Sequence, residues 1–392
     1  MKPNDIPKFL NKQRQQHLYR STRIAESPQQ PRMQIDGKSY LSFCSNDYLG
    51  LANHPDIVKA FVDTANTMGV GSGAAHLING HSIYHEKLEE ELAAFTGRQK
   101  ALLFSTGYMA NLGAINAIMQ RGDGIYADRL NHASLVDAGL LSQAKLHRYP
   151  HNDLARLKTS LSQQKTGDKM IACDAVFSMD GDTADVHGLA KLAKDYQAWL
   201  MLDDAHGIGV LGKQGAGLLE EQALSQDDVP ILMATLGKAI GTAGAFIAGS
   251  DDLIDYLKQT ARTWIFTTAM PSAIAAATSV SLKIIQQETW RREKLQALIQ
   301  QFRQGTKQLG LQLMPSYTAI QPIILGENHK ALQASEALQK QGILVTAIRP
   351  PTVPKNTARL RITLSANHTE KDVDYLLDAL THSSIRPLNI SI

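Results

Sequence analysis

Between residues 101 and 235, strand-like runs alternate with stretches of helical spacing, and most of the runs are apolar from end to end. They are ALLF (101–104), GIYAD (124–128), KLHRY (145–149), KMIACDAVF (169–177), WLMLD (199–203) and PILMAT (230–235). A strand that is apolar on both faces needs cover on both faces. The intervening segments 110–119, 134–143, 153–163 and 189–196 have the amphipathic spacing to provide it. The pattern predicts an α/β fold with a mostly parallel central sheet. Ligands of such sheets gather beyond the carboxyl ends of the strands. Chemistry is therefore expected just after residues 104, 128, 177, 203 and 235.

The flanks read differently. Residues 5–20 form an amphipathic helical arm with apolar points at Ile6, Phe9, Leu10 and Leu18. YLSF (40–43) reads as a strand, His54-Pro55 opens a helix to about Met68, and 69–75 is a Gly-rich loop. Beyond residue 285 a charged helix begins near Trp290. Strand-like 319–325, 342–348 and 358–364 then alternate with helices 329–341 and 369–382. The expected division is an N-terminal arm and strand (1–45), a large domain (46–285) and a smaller α+β C-terminal domain (286–392).

At 392 residues and 43% hydrophobic, the chain can bury a core without disulfides or metals. Forty Lys and Arg against 37 Asp and Glu leave a net charge of +3, which excludes a dominant basic field and gives no reason to expect nucleic acid. Cys44 and Cys173 stand in no metal-ligand spacing, so neither a disulfide framework nor a metal site is expected, and a reducing cytoplasm is the simple reading. The N-terminus lacks the apolar core of a secretory signal. Residues 231–249 approach a bilayer span in hydropathy, but Lys238 and four glycines interrupt them. A core strand followed by a Gly-rich loop explains them better, and no membrane is expected.

ALLF is followed by Ser105-Thr106-Gly107-Tyr108-Met109-Ala110-Asn111. A glycine at a strand-to-helix turn lets a ligand approach the backbone, and the first helical amides suit a phosphate. An ordinary βα turn has the same pattern. GIYAD leads to His132, which can stack on a flat ring, handle a proton, or simply cap a helix. The 169–177 run leads to Ser178, a hydroxyl for the cleft or a turn residue. WLML ends at Asp203, with His206 three residues on. A carboxylate there is costly unless it meets a cation. A pyridinium nitrogen is one such partner, and His206 could then bond a ring substituent. The other readings are a helix cap or a metal, the metal disfavoured because no further His/Asp cluster follows. PILMAT ends at Thr235, a hydroxyl for phosphate, three residues before Lys238. An apolar setting lowers a lysine pKa and makes the amine nucleophilic toward an aldehyde; a snorkelling surface lysine is the alternative. Together these groups suit pyridoxal 5′-phosphate (PLP). The run Gly69–Gly73 follows a helix rather than a strand, which weighs against a dinucleotide site and an NAD-linked oxidoreductase.

The motifs SNDYLG (45–50), GSG (71–73), FSTGYMAN (104–111), DRLNHASL (128–135), VFSMDGD (176–182), DDAHGIGVLG (203–212), TLGKAIG (235–241) and TAIRPPTVP…TARLRITL (346–364) resemble the α-oxoamine synthases. These are fold-type-I PLP-dependent transferases, and the likeness runs from about residue 20 to 380. It implies that Lys238 holds the PLP aldehyde, Asp203 pairs with the pyridine nitrogen, His206 bonds the ring hydroxyl and His132 stacks on the ring. It implies that Gly107, Tyr108 and Thr235 hold the phosphate and that Ser178 lines the cofactor. Asn46, Arg349 and Arg361 would surround the substrate carboxylate, Thr352 the acyl substrate, and Arg20, or less well Arg23, would touch substrate from the N-terminal side. The family forms homodimers with an interface active site, so Thr267 or Thr268 is expected to reach the partner's phosphate.

AIQPIILG (319–326) and TAIRPPTVP are most similar to the biotin-pathway branch, which implies L-alanine and a pimeloyl thioester, on coenzyme A or acyl carrier protein. A glycine C-acetyltransferase and a non-catalytic PLP-binding subunit are the rivals; intact Lys238, Asp203 and His132 argue against the second. Ala74-Ala75-His76 replace a usual Gly-Gly-Ser, Asp174 a usual Glu, and Gly244-Ala245 a common Gly-Gly.

Overall fold

The computed structural model describes residues 2–16 and 18–382. Residues 1 and 17 of the expected N-terminal arm and residues 383–392 of the expected small domain lie outside them. Thirteen strands are present among the described residues: β1 (Arg32–Ile35), β2 (Lys38–Ser42), β3 (Lys100–Phe104), β4 (Gly124–Asp128), β5 (Lys145–Tyr149), β6 (Lys169–Asp174), β7 (Trp199–Asp203), β8 (Ile231–Thr235), β9 (Ala245–Gly249), β10 (Ile320–Gly326), β11 (Ile343–Leu344), β12 (Thr346–Ile348) and β13 (Ala358–Thr363). Seven make the central sheet, in the order β3-β9-β8-β7-β6-β4-β5. All pairings are parallel except those of β9, which runs antiparallel to both β3 and β8.

Alternation explains why the strands inside the sheet are apolar throughout, while the edge strand β5, with Lys145 and Arg148 exposed, is not. In β6, Ile171 and Cys173 pack into one core cluster and Met170 and Ala172 into another, all essentially inaccessible to solvent. Consecutive side chains point to opposite faces, and helices cover both. Each buried aliphatic side chain contributes about 1.5–3 kcal/mol, so a polar residue anywhere along these strands is costly except at their ends.

The fold is the α/β arrangement expected, a mostly parallel central sheet accompanied by two smaller sheets. Three local expectations need correction. The strand beginning at 169 ends at Asp174, because Val176 turns to bridge Thr183. The Gly-rich stretch after Thr235 is not loop to its end: AFIAG returns as β9 and closes a hairpin with β8. GILVTAI is two strands: β11 pairs with β2 in the sheet β1-β2-β11, and after Val345 β12 pairs with β13 in the sheet β10-β13-β12. The helices Asp251–Thr260 and Ser272–Gln287 were not foreseen. The second is rich in alanine and serine, small enough to bury against helix Pro55–Met68 without an obvious apolar stripe. No helix among the described residues is long and apolar enough to cross a membrane.

Candidate active site

The carboxyl ends of β3, β4, β6, β7 and β8 converge on a cavity of about 180 Å3 lined by Gly107, Tyr108, His132, Ser134, Asp174, Ser178, Asp203, His206, Thr235 and Lys238, among others. Asp203 ends β7, almost fully buried. Its Oδ2 accepts from Asn111 Nδ2 at 2.8 Å and its Oδ1 from the Ala205 amide at 3.1 Å. Two neutral donors orient the carboxyl group toward the cavity.

Lys238 sits in the β8–β9 hairpin. This hairpin folds tightly because Gly244 takes φ +101°, and a Cβ there would meet Met270 Cε at 2.4 Å. Lys238 Nζ lies 2.7 Å from His206 Nε2. Burial brings its pKa down to about 8 even though Asp203 and Asp174 pull the other way. His206 is pushed far below its usual value, by burial first and then by Lys238 and Arg361. The imidazole is therefore neutral.

His132 caps helix Ala133–Leu141, its Nδ1 facing the Ser134 amide at 3.3 Å and the Ser134 hydroxyl at 2.7 Å. The His132 amide donates to the Asp174 carboxylate, which fixes the start of the loop. Burial lowers His132 and, with the nearby Asp203 charge, raises Asp174 well above the usual carboxylate range. Asn111 Nδ2 also donates to Ser134 Oγ at 2.8 Å, so one amide ties the Asp203 and His132 sides together.

Gly107 and Tyr108 open helix Gly107–Ile118, capped by Thr106, which accepts from the Met109 amide. A Cβ on Gly107 would come within 3.1 Å of Met233 Cε, a tight contact that a small shift of the methionine would have to relieve. The Tyr108 ring turns outward to Asp137, which leaves the backbone as its contribution to the cavity. Thr235 Oγ1 donates to the Gly244 carbonyl at 3.0 Å, and its lone pairs face the Gly237 amide.

The remaining predicted residues lie around this centre. Arg361 donates to Asn46 Oδ1 and, through Nε, to the Ser178 carbonyl at 2.6 Å. Asn46 and Lys238 share a second cavity of about 470 Å3, which Arg23 also lines. Thr352 faces His132 and Ser178 across a third of about 630 Å3. Arg20, Arg349 and Thr352 line a fourth of about 620 Å3 beneath the N-terminal arm, apart from Lys238. Thr267 and Thr268 lie away from the central cavity, Thr268 bridging Ala75 in the loop of the 74–76 departure. Sequence reading passed over Asn111, Ser134 and Tyr48, although each lies inside a quoted motif. Away from the cavity, His81, Glu86 and Glu89 place ligand atoms within 4.8 Å of one another, a grouping the spacing did not suggest; Lys258, 3.8 Å from Glu89, supplies counter-charge there.

The donor set fits PLP. Helix amides stand ready for a dianion, a buried carboxylate faces the cavity, and an amine of lowered pKa opens onto it. In addition, Asn111 Oδ1 is buried without a partner at the base of the site.

The model of the family "Aminotransferase class I and II" matches residues 38–380. An 8-amino-7-oxononanoate synthase of Saccharophagus degradans is 57% identical over 379 residues, 96% of each chain. Another from Pseudomonas savastanoi pv. phaseolicola is 55% identical over 376 residues, covering 96% of this chain and 95% of that one. Among solved structures, a Sphingomonas wittichii serine palmitoyltransferase superposes with a TM-score of 0.92 at 27% identity over 97% of both chains. An SPT variant with PLP gives 0.93 at 27% identity over 98% of both. The 8-amino-7-oxononanoate synthase of Francisella tularensis gives 0.77 at 31% identity, over 88% of this chain and 97% of that one.

Proposed function

The chain belongs to the class I and II aminotransferase family and, within it, to the 8-amino-7-oxononanoate synthases, and on that footing we infer that it is a PLP-dependent acyltransferase of biotin biosynthesis. It condenses L-alanine with a pimeloyl thioester to give 8-amino-7-oxononanoate, CO2 and the free thiol. The observation that carries this reading is the meeting of a buried amine, a buried carboxylate and an imidazole on one cavity, with an Asn–Arg pair beside the amine.

PLP, when bound, supplies the electron sink that lets the α-carbon of alanine lose first a proton and later CO2. Asp203 is assigned to hold the pyridine nitrogen in its protonated form, Asn111 and the Ala205 amide keeping the carboxylate aimed. Lys238 Nζ is assigned to take the α-proton. At pH 7.5 a pKa of about 8 leaves about a quarter of such amines neutral, against about one in a thousand for an ordinary lysine. Gly107 and Tyr108 amides and Thr235 would take the phosphate, His132 one face of the ring, His206 the ring hydroxyl, and Ser178 the cofactor edge. Asn46 and Arg361 would bind the alanine carboxylate and set the angle of the breaking bond. Arg349, placed with Thr352 and Arg20 in the cavity apart from Lys238, would serve the acyl substrate together with them rather than the alanine carboxylate.

Two predictions arise here. Arg361→Ala should raise the Kd for L-alanine, read by spectral titration, by about 10- to 100-fold, the worth of a charged hydrogen-bonding group; an unaltered Kd removes Arg361 from the site. In PLP-free protein, the rate at which added PLP is captured should climb with pH through about 8 and then level off, because only the neutral amine attacks. A rise continuing toward pH 10 would place Lys238 in an ordinary aqueous setting.

The proposal includes a homodimer in a reducing cytoplasm. Ile78, Ile83 and Phe266 are all at least 70% exposed and adjoin the Ala75–Thr268 bridge, an apolar surface suited to a second copy that would carry Thr267 or Thr268 toward the partner's phosphate. Residues 46–285 would act as the cofactor-bearing unit, with 1–45 and 286 onward on the substrate side. The decisive assay offers L-alanine or glycine with pimeloyl or acetyl thioesters, on coenzyme A and on acyl carrier protein, and identifies the product. Turnover of glycine with acetyl thioester alone would replace this reading with a glycine C-acetyltransferase.

A further inference from the structure

Lys238 terminates a chain of hydrogen bonds, buried at its Tyr48–His206 link and part-buried elsewhere, whose other end is Arg361, and the polarity of every link follows from that end. Arg361 Nη1 and Nη2 each lie 3.3 Å from Asn46 Oδ1. A guanidinium donates and never accepts, so the atom of Asn46 that faces it must be the amide oxygen. The same oxygen is 3.0 Å from the Tyr48 hydroxyl. Being an acceptor, it takes the only hydrogen that hydroxyl has. The Tyr48 oxygen is then left to accept, and its neighbour on that side is His206 Nδ1 at 2.7 Å. Nδ1 therefore carries a proton. The imidazole is neutral and has just one, so Nε2 is bare and accepts from Lys238 Nζ at 2.7 Å.

We propose that Tyr48 is a positioning residue for the reaction: it relays the donor-only character of Arg361, through Asn46, to His206, and so fixes the tautomer whose lone pair holds Lys238 Nζ in place. Tyr48 is fully buried and stands outside the lining of the cavity. It acts through His206 rather than on substrate. The inference rests on the reading that Lys238 is the reacting amine. The charged and titratable groups around the chain are these: Tyr48 is faced by Arg361 directly as well as through Asn46, His206 by Tyr48, Lys238, Arg361 and His132, and Lys238 by Arg361, Asp203, Asp174 and Asp204. Tyr48→Phe leaves every one of these but the hydroxyl in place.

The direct test is the nitrogen NMR spectrum of PLP-free protein labelled with 15N-histidine, His206 being assigned by its loss in His206→Gln. The wild type should show His206 as a neutral imidazole protonated at Nδ1, and Tyr48→Phe should move the pair of shifts toward Nε2 protonation. The holoenzyme of Tyr48→Phe should bind a full complement of PLP, show a displaced pH midpoint of its visible band, and lose about tenfold in kcat, one buried hydrogen bond's worth, with little change in the KM for alanine. Wild-type His206 protonated at Nε2 overturns the proposal, and that spectrum decides it even if the variant fails to fold. Unchanged nitrogen shifts together with unchanged kcat in Tyr48→Phe overturn it as well. A wild-type protein that binds no PLP would defeat the functional reading instead, while the His206 spectrum still reports the tautomer.

Discussion

Lys238→Ala should lower the rate of product formation by about three orders of magnitude or more and abolish the visible band of the purified protein. Two losses combine in this variant. The base that takes the α-proton disappears, which alone is worth about 10²- to 10⁴-fold, and so does the only side-chain amine among the described residues lining the cavity. Borohydride reduction followed by peptide mapping separates this from a merely structural defect. In wild-type protein the cofactor should be fixed to the peptide containing Lys238; in the variant it should wash out. Label recovered on another peptide, or turnover near the wild-type rate, would remove Lys238 from the reaction. Folding should survive, because the lysine side chain bonds only to His206 and its hairpin is held by backbone pairing.

Asp203→Asn is expected to keep PLP bound yet slow removal of the α-proton by about 10²- to 10⁴-fold. The amide matches the carboxylate in shape, and its one oxygen can still accept from Asn111, while its NH2 gives up the bond from the Ala205 amide. What is lost is the negative charge that favours a proton on the pyridine nitrogen. The measurement is exchange of the alanine α-hydrogen with deuterated solvent, followed without any acyl substrate so that later steps do not intrude. Exchange at the wild-type rate would refute the role given to Asp203. Loss of PLP binding instead would assign the carboxylate to holding the cofactor.

The legible parts of the sequence were those where one residue contradicts its surroundings. Asp203 and Lys238 each follow a run of apolar residues, and a polar group at such a place demands a reason. The strands inside the sheet were legible because both faces of each are buried, which leaves an unbroken apolar signature that the edge strand β5 lacks. β9 has that signature too, but it follows a glycine-rich turn, and local pattern does not distinguish a returning strand from a loop. The split of GILVTAI at Val345 was hidden for a related reason: which sheet a strand joins is decided by partners far away in the chain, here β2 and β13. Asn111 illustrates the same limit at the site. Its partner Asp203 is 92 positions distant, and nothing local marks an asparagine on a helix as the group that steadies a carboxylate. Tyr48 and His206 are 158 positions apart.

The antiparallel strand β9 has a mechanical consequence for the lysine it follows. Because β9 is inserted between β3 and β8, the turn bearing Lys238 is sewn into the middle of the sheet, with both of its ends pinned by neighbouring strands. The base of the turn is closed by the Leu236 and Thr242 amides, which donate to the Gly244 and Leu236 carbonyls, so these two amides should trade hydrogen for deuterium slowly. The amine must then travel between its stations on the four torsions of its own side chain, like a crane arm on a fixed mast, while the masonry beneath it stays still.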